Sequence, residues 1–145
     1  MKITKKFPVI CFFLLSMAVL SGCATKEEPP VEENFPLAGT CWTPLSGPQG
    51  AVLEFSPDAG RIVGTTNGNR FFAPVERARG ELLHFGSIAI TRALSRDPER
   101  EAVFIDALDR TRAWKISGNC LFLEDERGKT VLKLQRLYLK KRTKK

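Results

Sequence analysis

From Leu37 onward, apolar residues recur in short alternating runs separated by turn residues. Alternation with a period of two is the signature of strands that bury one face. The pattern predicts strands over 40–43, 51–55, 61–65, 70–76, 81–85, 87–92, 112–117, 120–124 and 130–138. Gly-Pro-Gln-Gly and Ser-Pro-Asp-Ala-Gly bound the second run, and Gly118-Asn119 reads as a hairpin turn. Pro74 weakens or ends the fourth strand, because proline cannot donate to a ladder. The 81–85 and 87–92 runs read as a pair separated only by Gly86, a bulge or sharp bend. One segment breaks the rhythm. Asp97-Pro98-Glu99 supplies an N-cap, a proline for the first helical position and acids for the first turn. Phe104, Ala107 and Leu108 then share one face, which predicts a helix near 97–110. The expected fold is mainly β (α+β): a small antiparallel barrel-like sheet of about eight strands, with the helix covering one opening.

The N-terminus follows a different pattern. Met1 to Lys6 carries three lysines, and Phe7 to Leu20 is an uncharged apolar run of 14 residues. That is short of the roughly 17–25 residues needed to span a bilayer, and it fits a signal-peptide core. The run ends in Leu20-Ser21-Gly22-Cys23, which resembles the lipobox of bacterial lipoproteins. The resemblance implies cleavage before Cys23, acylation of its thiol and attachment to a membrane. Ala24, and not Asp, follows the cysteine. By resemblance to lipoprotein sorting rules, this implies an outer-membrane destination facing the periplasm. The expected organisation is a signal peptide over 1–22, a Pro- and Glu-rich flexible tether over 23–36, one domain over 37–139 and a basic tail over 140–145.

Charge refines this picture. The chain carries +7. Without Lys2, Lys5 and Lys6 it carries +4, and Lys140, Lys141, Arg142, Lys144 and Lys145 more than account for that. The remainder is close to neutral, at −1. The basic character belongs to a tail and not to a folded face, which argues against nucleic acid as a partner. The tail reads equally as a solubilising end or as a contact for anionic lipid or lipopolysaccharide phosphate. Of four cysteines, Cys11 leaves with the signal and Cys23 takes the lipid. Cys41 and Cys120 remain as a candidate disulfide in an oxidising compartment, or as two buried thiols.

The stretch from Leu37 to Gln135 resembles the META domain, also called the HslJ-like domain. The matching pieces are Leu37-Ala38-Gly39-Thr40-Cys41-Trp42, Leu53-Glu54-Phe55, Gly64 and Asn69-Arg70-Phe71-Phe72. Phe85-Gly86-Ser87-Ile88-Ala89-Ile90-Thr91-Arg92 follows, then the helical Glu99 to Leu108. Trp114-Lys115-Ile116-Ser117-Gly118-Asn119, Leu121-Phe122-Leu123, Gly128 and Leu132-Lys133-Leu134 complete the series. The resemblance implies a compact β-rich barrel with one helix in an envelope lipoprotein often linked to stress. It implies no known reaction. The family usually has Gly-Cys-Asn-Arg where this chain has Asn67-Gly68-Asn69-Arg70, and Thr-Arg-Met-Ala-Cys where it has Thr91-Arg92-Ala93-Leu94-Ser95. Both family cysteines are absent here, which makes sense if they pair.

No catalytic constellation stands out. His84 is the single histidine, which leaves no Ser-His-Asp triad and no multi-histidine metal site. No cofactor is called for. Asn69, Arg70, Thr91, Arg92, Glu99 and Glu101 match the family's polar positions. They read either as a small ligand pocket or as a structural network, with Asn69 in a left-handed turn and an arginine paired to a helix glutamate. Trp42 reads as a core anchor or a ligand platform. The expectation is a non-enzymatic envelope lipoprotein, an interaction or structural module. The alternatives are a β-barrel binding module for an apolar ligand, an inhibitor of an envelope-attacking enzyme or, more weakly, a hydrolase.

Overall fold

The computed structural model describes residues 30–138. The lipobox with Cys23, and the basic residues 140–145, lie outside the described residues. The elements are β1 (Cys41–Pro44), β2 (Val52–Phe55), β3 (Arg61–Thr65), β4 (Arg70–Arg79), β5 (Leu82–Phe85), β6 (Ala89–Ile90), α1 (Pro98–Asp109), β7 (Ala113–Ser117), β8 (Cys120–Glu124) and β9 (Thr130–Leu137). All nine strands form one antiparallel sheet in the order β3-β2-β1-β9-β8-β7-β5-β4-β6. A further β3–β4 pairing closes eight of them into a ring. The ring is thinnest between β5 and β7, where the ladder is the single pair Leu82–Ala113. Closure removes the exposed edges that an open sheet would present.

Inward-facing residues fill the ring. Trp42, Leu53, Phe55, Ile62, Leu83, Phe85, Leu121, Leu123 and Leu134 are buried along the strands, each contributing on the order of 1.5–3 kcal/mol. Gly64 on β3 faces Phe71 on β4. A Cβ at Gly64 would overlap the Phe71 ring and the Val52 carbonyl. The glycine thus admits the ring, which then meets Phe104 of α1 edge-on, with centroids 5.6 Å apart.

Antiparallel alternation puts the connections at two poles. The β1–β2, β3–β4 and β8–β9 loops share one pole with α1, here called the helix pole. Both chain ends leave at the other, terminal pole, before β1 and after β9. Asp97 caps α1 by accepting from the Arg100 amide, Pro98 opens the helix, and Phe104, Ala107 and Leu108 are its buried residues, as the spacing predicts.

Two strand expectations change. β4 runs on past Pro74 to Arg79. The Gly86 amide donates to the Pro74 carbonyl at 2.8 Å. The missing Pro74 N–H therefore faces the Gly86–Ile88 stretch between β5 and β6, where no ladder bond is lost. β5 and β6 do not pair with each other; both lie along β4. Gly86 makes this possible, since a Cβ there would crowd Glu76 and Pro74.

The tether expectation over 23–36 also changes at its described end. The Ala78 amide donates to Pro30 at 2.9 Å and the Glu32 amide to Ala78 at 2.7 Å, so Val31 bridges to Ala78 as a short parallel pair. Phe35 and Leu37 are buried, and Phe35 meets Trp114 edge-on at 5.3 Å. These apolar side chains close the terminal pole. A Pro/Glu-rich composition hid them.

The Cys41–Cys120 disulfide is absent; both cysteines are free. Cys41 pairs with Leu137 and Cys120 with Gln135, on opposite sides of β9. Two strand spacings come to roughly 9–10 Å, beyond the about 7 Å that a disulfide tolerates between Cα atoms. Burial, helped by the Glu54 charge, pushes the Cys41 thiol pKa up against the lowering effect of its bond to the Trp42 backbone. The shift favours the protonated thiol over the nucleophilic thiolate.

Candidate functional site: a polar network under the helix

The β3–β4 turn, the strand leaving β6 and the first turn of α1 converge at the helix pole. Asn69 lies at the centre and is buried. Its amide nitrogen donates to the two Glu101 carboxylate oxygens at 3.0 and 3.2 Å and to the Ala93 carbonyl at 3.2 Å. Its amide oxygen accepts from the Thr91 hydroxyl at 3.0 Å and the Ala93 amide at 2.6 Å. Thr66 is also buried, and its hydroxyl donates to Glu101. The Thr66 amide donates to the Asn69 carbonyl at 2.9 Å. The Thr91 hydroxyl also accepts from the Arg70 amide at 3.0 Å.

A carboxylate is costly to remove from water unless hydrogen bonds replace its hydration. Glu101 is half-buried, and Thr66 and Asn69 supply those bonds. Glu101 also stands in the first turn of α1, where the helix dipole favours a negative charge. The arrangement fixes three chain segments to one another through a single asparagine. Asparagine suits the centre because its amide offers both a donor and an acceptor.

The sequence expectations separate here. Asn69, Thr91 and Glu101 come together. Arg70 and Arg92 do not join them through their side chains; both are exposed. Arg70 contributes its backbone, whose carbonyl accepts from the Thr91 amide at 2.9 Å. The expected arginine–glutamate pair is replaced by the Glu101 bonds to Asn69 and Thr66. Glu99 is exposed too. The left-handed residue of the turn is Asn67, at φ 66°, and not Asn69. Thr66 was missed. A threonine opening a Thr-Asn-Gly-Asn turn, three residues before the buried asparagine, was the available signal.

Other polar groups cap turns or pair at the surface. Asp125 accepts from the Arg127 and Lys129 amides at 2.9 and 3.0 Å and from Arg110 at 3.2 Å. The Lys129 amide, above all, holds its carboxyl below the usual carboxylate range. Asp58 accepts from the Ser56 hydroxyl at 2.5 Å and the Gly60 amide at 3.0 Å, and Ser56 above all lowers it likewise. His84 lies 3.3 Å from Glu76 on the barrel surface. Trp42 is a core residue, its indole N–H donating to Thr40 at 2.7 Å. Among the described residues, no cluster of three or more His, Cys, Asp or Glu side chains could hold a metal ion. No helix among them is long and apolar enough to cross a membrane.

The fold and this network define a class: a small closed β-barrel domain with one helix pinned across an end by buried hydrogen bonds. The META domain family model matches residues 37–137, and the chain belongs to that family. No curated protein matches it. Among solved structures it is similar to the crystal structure of a DUF4847 family protein from Bacteroides vulgatus. That match has 15% identity and a TM-score of 0.54, and covers 68% of this chain and 93% of the other. At that identity the likeness speaks for the fold alone. It extends the barrel architecture to a second family and assigns no activity to this chain.

Proposed function

We infer that this protein is a non-enzymatic, lipid-anchored lipoprotein of the cell envelope, in which the META domain serves as an interaction or structural module. The observation that carries this reading is the placement of the chain ends. Pro30 leaves the barrel beside Ala78, and Tyr138 bonds to Asn119 of the β7–β8 turn at 2.9 Å. Both therefore exit at the terminal pole. Cys23 precedes Pro30 by only seven residues, a reach of at most roughly 25 Å. A lipid at Cys23 and a cationic tail at 140–145 would act on one membrane surface from the same side. The diacylglyceryl group on a lipobox cysteine brings two acyl chains, which suffice for stable anchoring, and a polybasic segment adds attraction to anionic lipid. Outer-membrane residence facing the periplasm follows from the residue after the lipobox cysteine. The link to envelope stress rests on family resemblance.

The barrel interior weighs against a ligand carrier, because Trp42, Phe55, Phe85 and Phe104 fill it. Outside the barrel, a groove of about 610 Å³ between Leu45, Val103, Phe104 and Val131 is open to an apolar ligand. Palmitate labelling tests the anchor. The wild type is expected to incorporate label and fractionate with outer membranes. Cys23→Ala is expected to lose both. Undiminished labelling of Cys23→Ala would overturn the reading.

A further inference from the structure

The outer face of β4 and β6 carries a patch that the polar network does not use. Arg70 and Phe72 point outward on β4, opposite Thr91 and Ala89. Phe72 is 57% exposed and Leu94, on the strand leaving β6, is 99% exposed. Arg92 and Arg96 flank Leu94 and are exposed as well. Across residues 62–75 and 85–96 there are three arginines and no acid. No ion pair to these arginines occurs among the described residues, whereas Arg100 and Arg110 nearby both have acidic partners.

Between Arg70, Phe72, Ala89 and Thr91 lies a shallow, mainly apolar groove of about 200 Å³. Small-molecule sites usually run to roughly 300–1,000 Å³. This groove suits one or two side chains of a partner. The patch also lies at the helix pole, some eight strand residues along β4 from the Pro30 exit at Ala78, or about 26 Å. A membrane reached through the terminal pole would be remote from it.

We propose that this face docks an acidic protein segment, with one apolar side chain of the partner seated on Phe72 and its carboxylates on Arg70, Arg92 and Arg96. The planar guanidinium matches a carboxylate in two-point fashion. Three arginines without an ion pair, on two adjoining segments at this end of the barrel, favour an anionic partner and repel a cationic one. The proposal deepens the interaction-module reading, and the two fail separately. Acyl labelling tests the anchor, and peptide titration tests the patch.

The test uses the purified full-length chain in neutral detergent and three fluorescent peptides. One alternates glutamate and leucine around a central phenylalanine. The second replaces each glutamate with lysine, and the third replaces each apolar residue with serine. The first peptide is expected to bind, more weakly as salt rises. Its amide shifts should centre on residues 70–73 and 89–94. The lysine peptide should not bind, and the serine peptide should bind at least about threefold more weakly. Arg70→Glu with Arg92→Glu should weaken the first peptide about tenfold or more, with an unchanged melt. Arg96→Glu with Phe72→Ser provides a second, independent variant. Phosphatidylglycerol vesicles should not compete. The proposal is overturned by no binding of the acidic peptide or equal binding of the lysine peptide. Full affinity in folded reversed variants, or vesicle binding through these same residues, would overturn it too.

Discussion

The two poles of the barrel solve one problem in different ways. At the terminal pole, Phe35 and Leu37 close the opening with apolar surface, and Phe35 stacks edge-on with Trp114. At the helix pole, α1 covers the opening with Phe104, Ala107 and Leu108, but its start is tied down by Asn69, Thr66 and Glu101. Apolar closure is insensitive to the exact angle of the covering segment. A hydrogen-bond network is not, because each donor must meet its acceptor. The helix start therefore has one docking position set by side-chain bonds, while the N-terminal segment is held by its buried rings and the short Val31–Ala78 bridge.

The largest effect should come from the apolar pole. Phe35→Ala removes a buried ring and should lower stability by about 3–5 kcal/mol, measured by urea denaturation. A loss under about 1 kcal/mol would show that residues 30–36 behave as a tether after all.

The next test strengthens the polar pole. A Cβ at Gly68 would lie 3.5 Å from the Ser95 Cα, and Gly68 is not in the left-handed region. These are the two positions at which the family resemblance places cysteines. Gly68→Cys with Ser95→Cys should form a disulfide and add about 3 kcal/mol, less any strain. The wild type should show both Cys41 and Cys120 as free thiols once denatured. The double variant should show the same two and no more.

Asn69→Ala should cost about 2–4 kcal/mol, because it strands Glu101, Thr91 and the Ala93 backbone together. Hydrogen exchange should accelerate first in α1 and leave the terminal pole protected.

Each pole also has an aspartate-capped turn, Asp58 at one and Asp125 at the other, and both are held below the ordinary carboxylate value. A lowered folded-state pKa adds stability that is present above the unfolded value of about 3.9 and is lost as pH falls through the folded value. Asp125→Asn should flatten this acid limb of the stability curve. An unchanged limb would show that the turn does not depend on the charge. Smallest of all, Arg92→Ala should stay within about 0.5 kcal/mol of wild type, since its side chain is outside the network.

Much of the architecture was legible in the sequence, and the failures have physical causes. The helix was readable because Asp97-Pro98 marks its start and its apolar spacing agrees with its cap. The β3, β7 and β8 strands were readable from alternation and turn residues. Strand pairing was not, because alternation says which face is buried but not which strand lies beside it. That is why Cys41 and Cys120 looked able to meet while β9 stands between them. In the polar site, arginines drew attention as partners for Glu101. Yet a charge can be satisfied by neutral donors, and Asn69 with Thr66 does so while leaving Arg70 and Arg92 in solvent. The tether expectation failed at residues 30–36 because Val31 and Phe35 are too few to register in a Pro/Glu-rich window.

The central claim is that Glu101 is held at the helix pole through Asn69 as one cooperative unit. A double-mutant cycle on Asn69→Ala and Glu101→Ala, read by urea denaturation, tests it directly. The account predicts that the double variant is less destabilised than the two single losses combined, with a coupling of about 1–3 kcal/mol. Losses that add to within about 0.5 kcal/mol would contradict it.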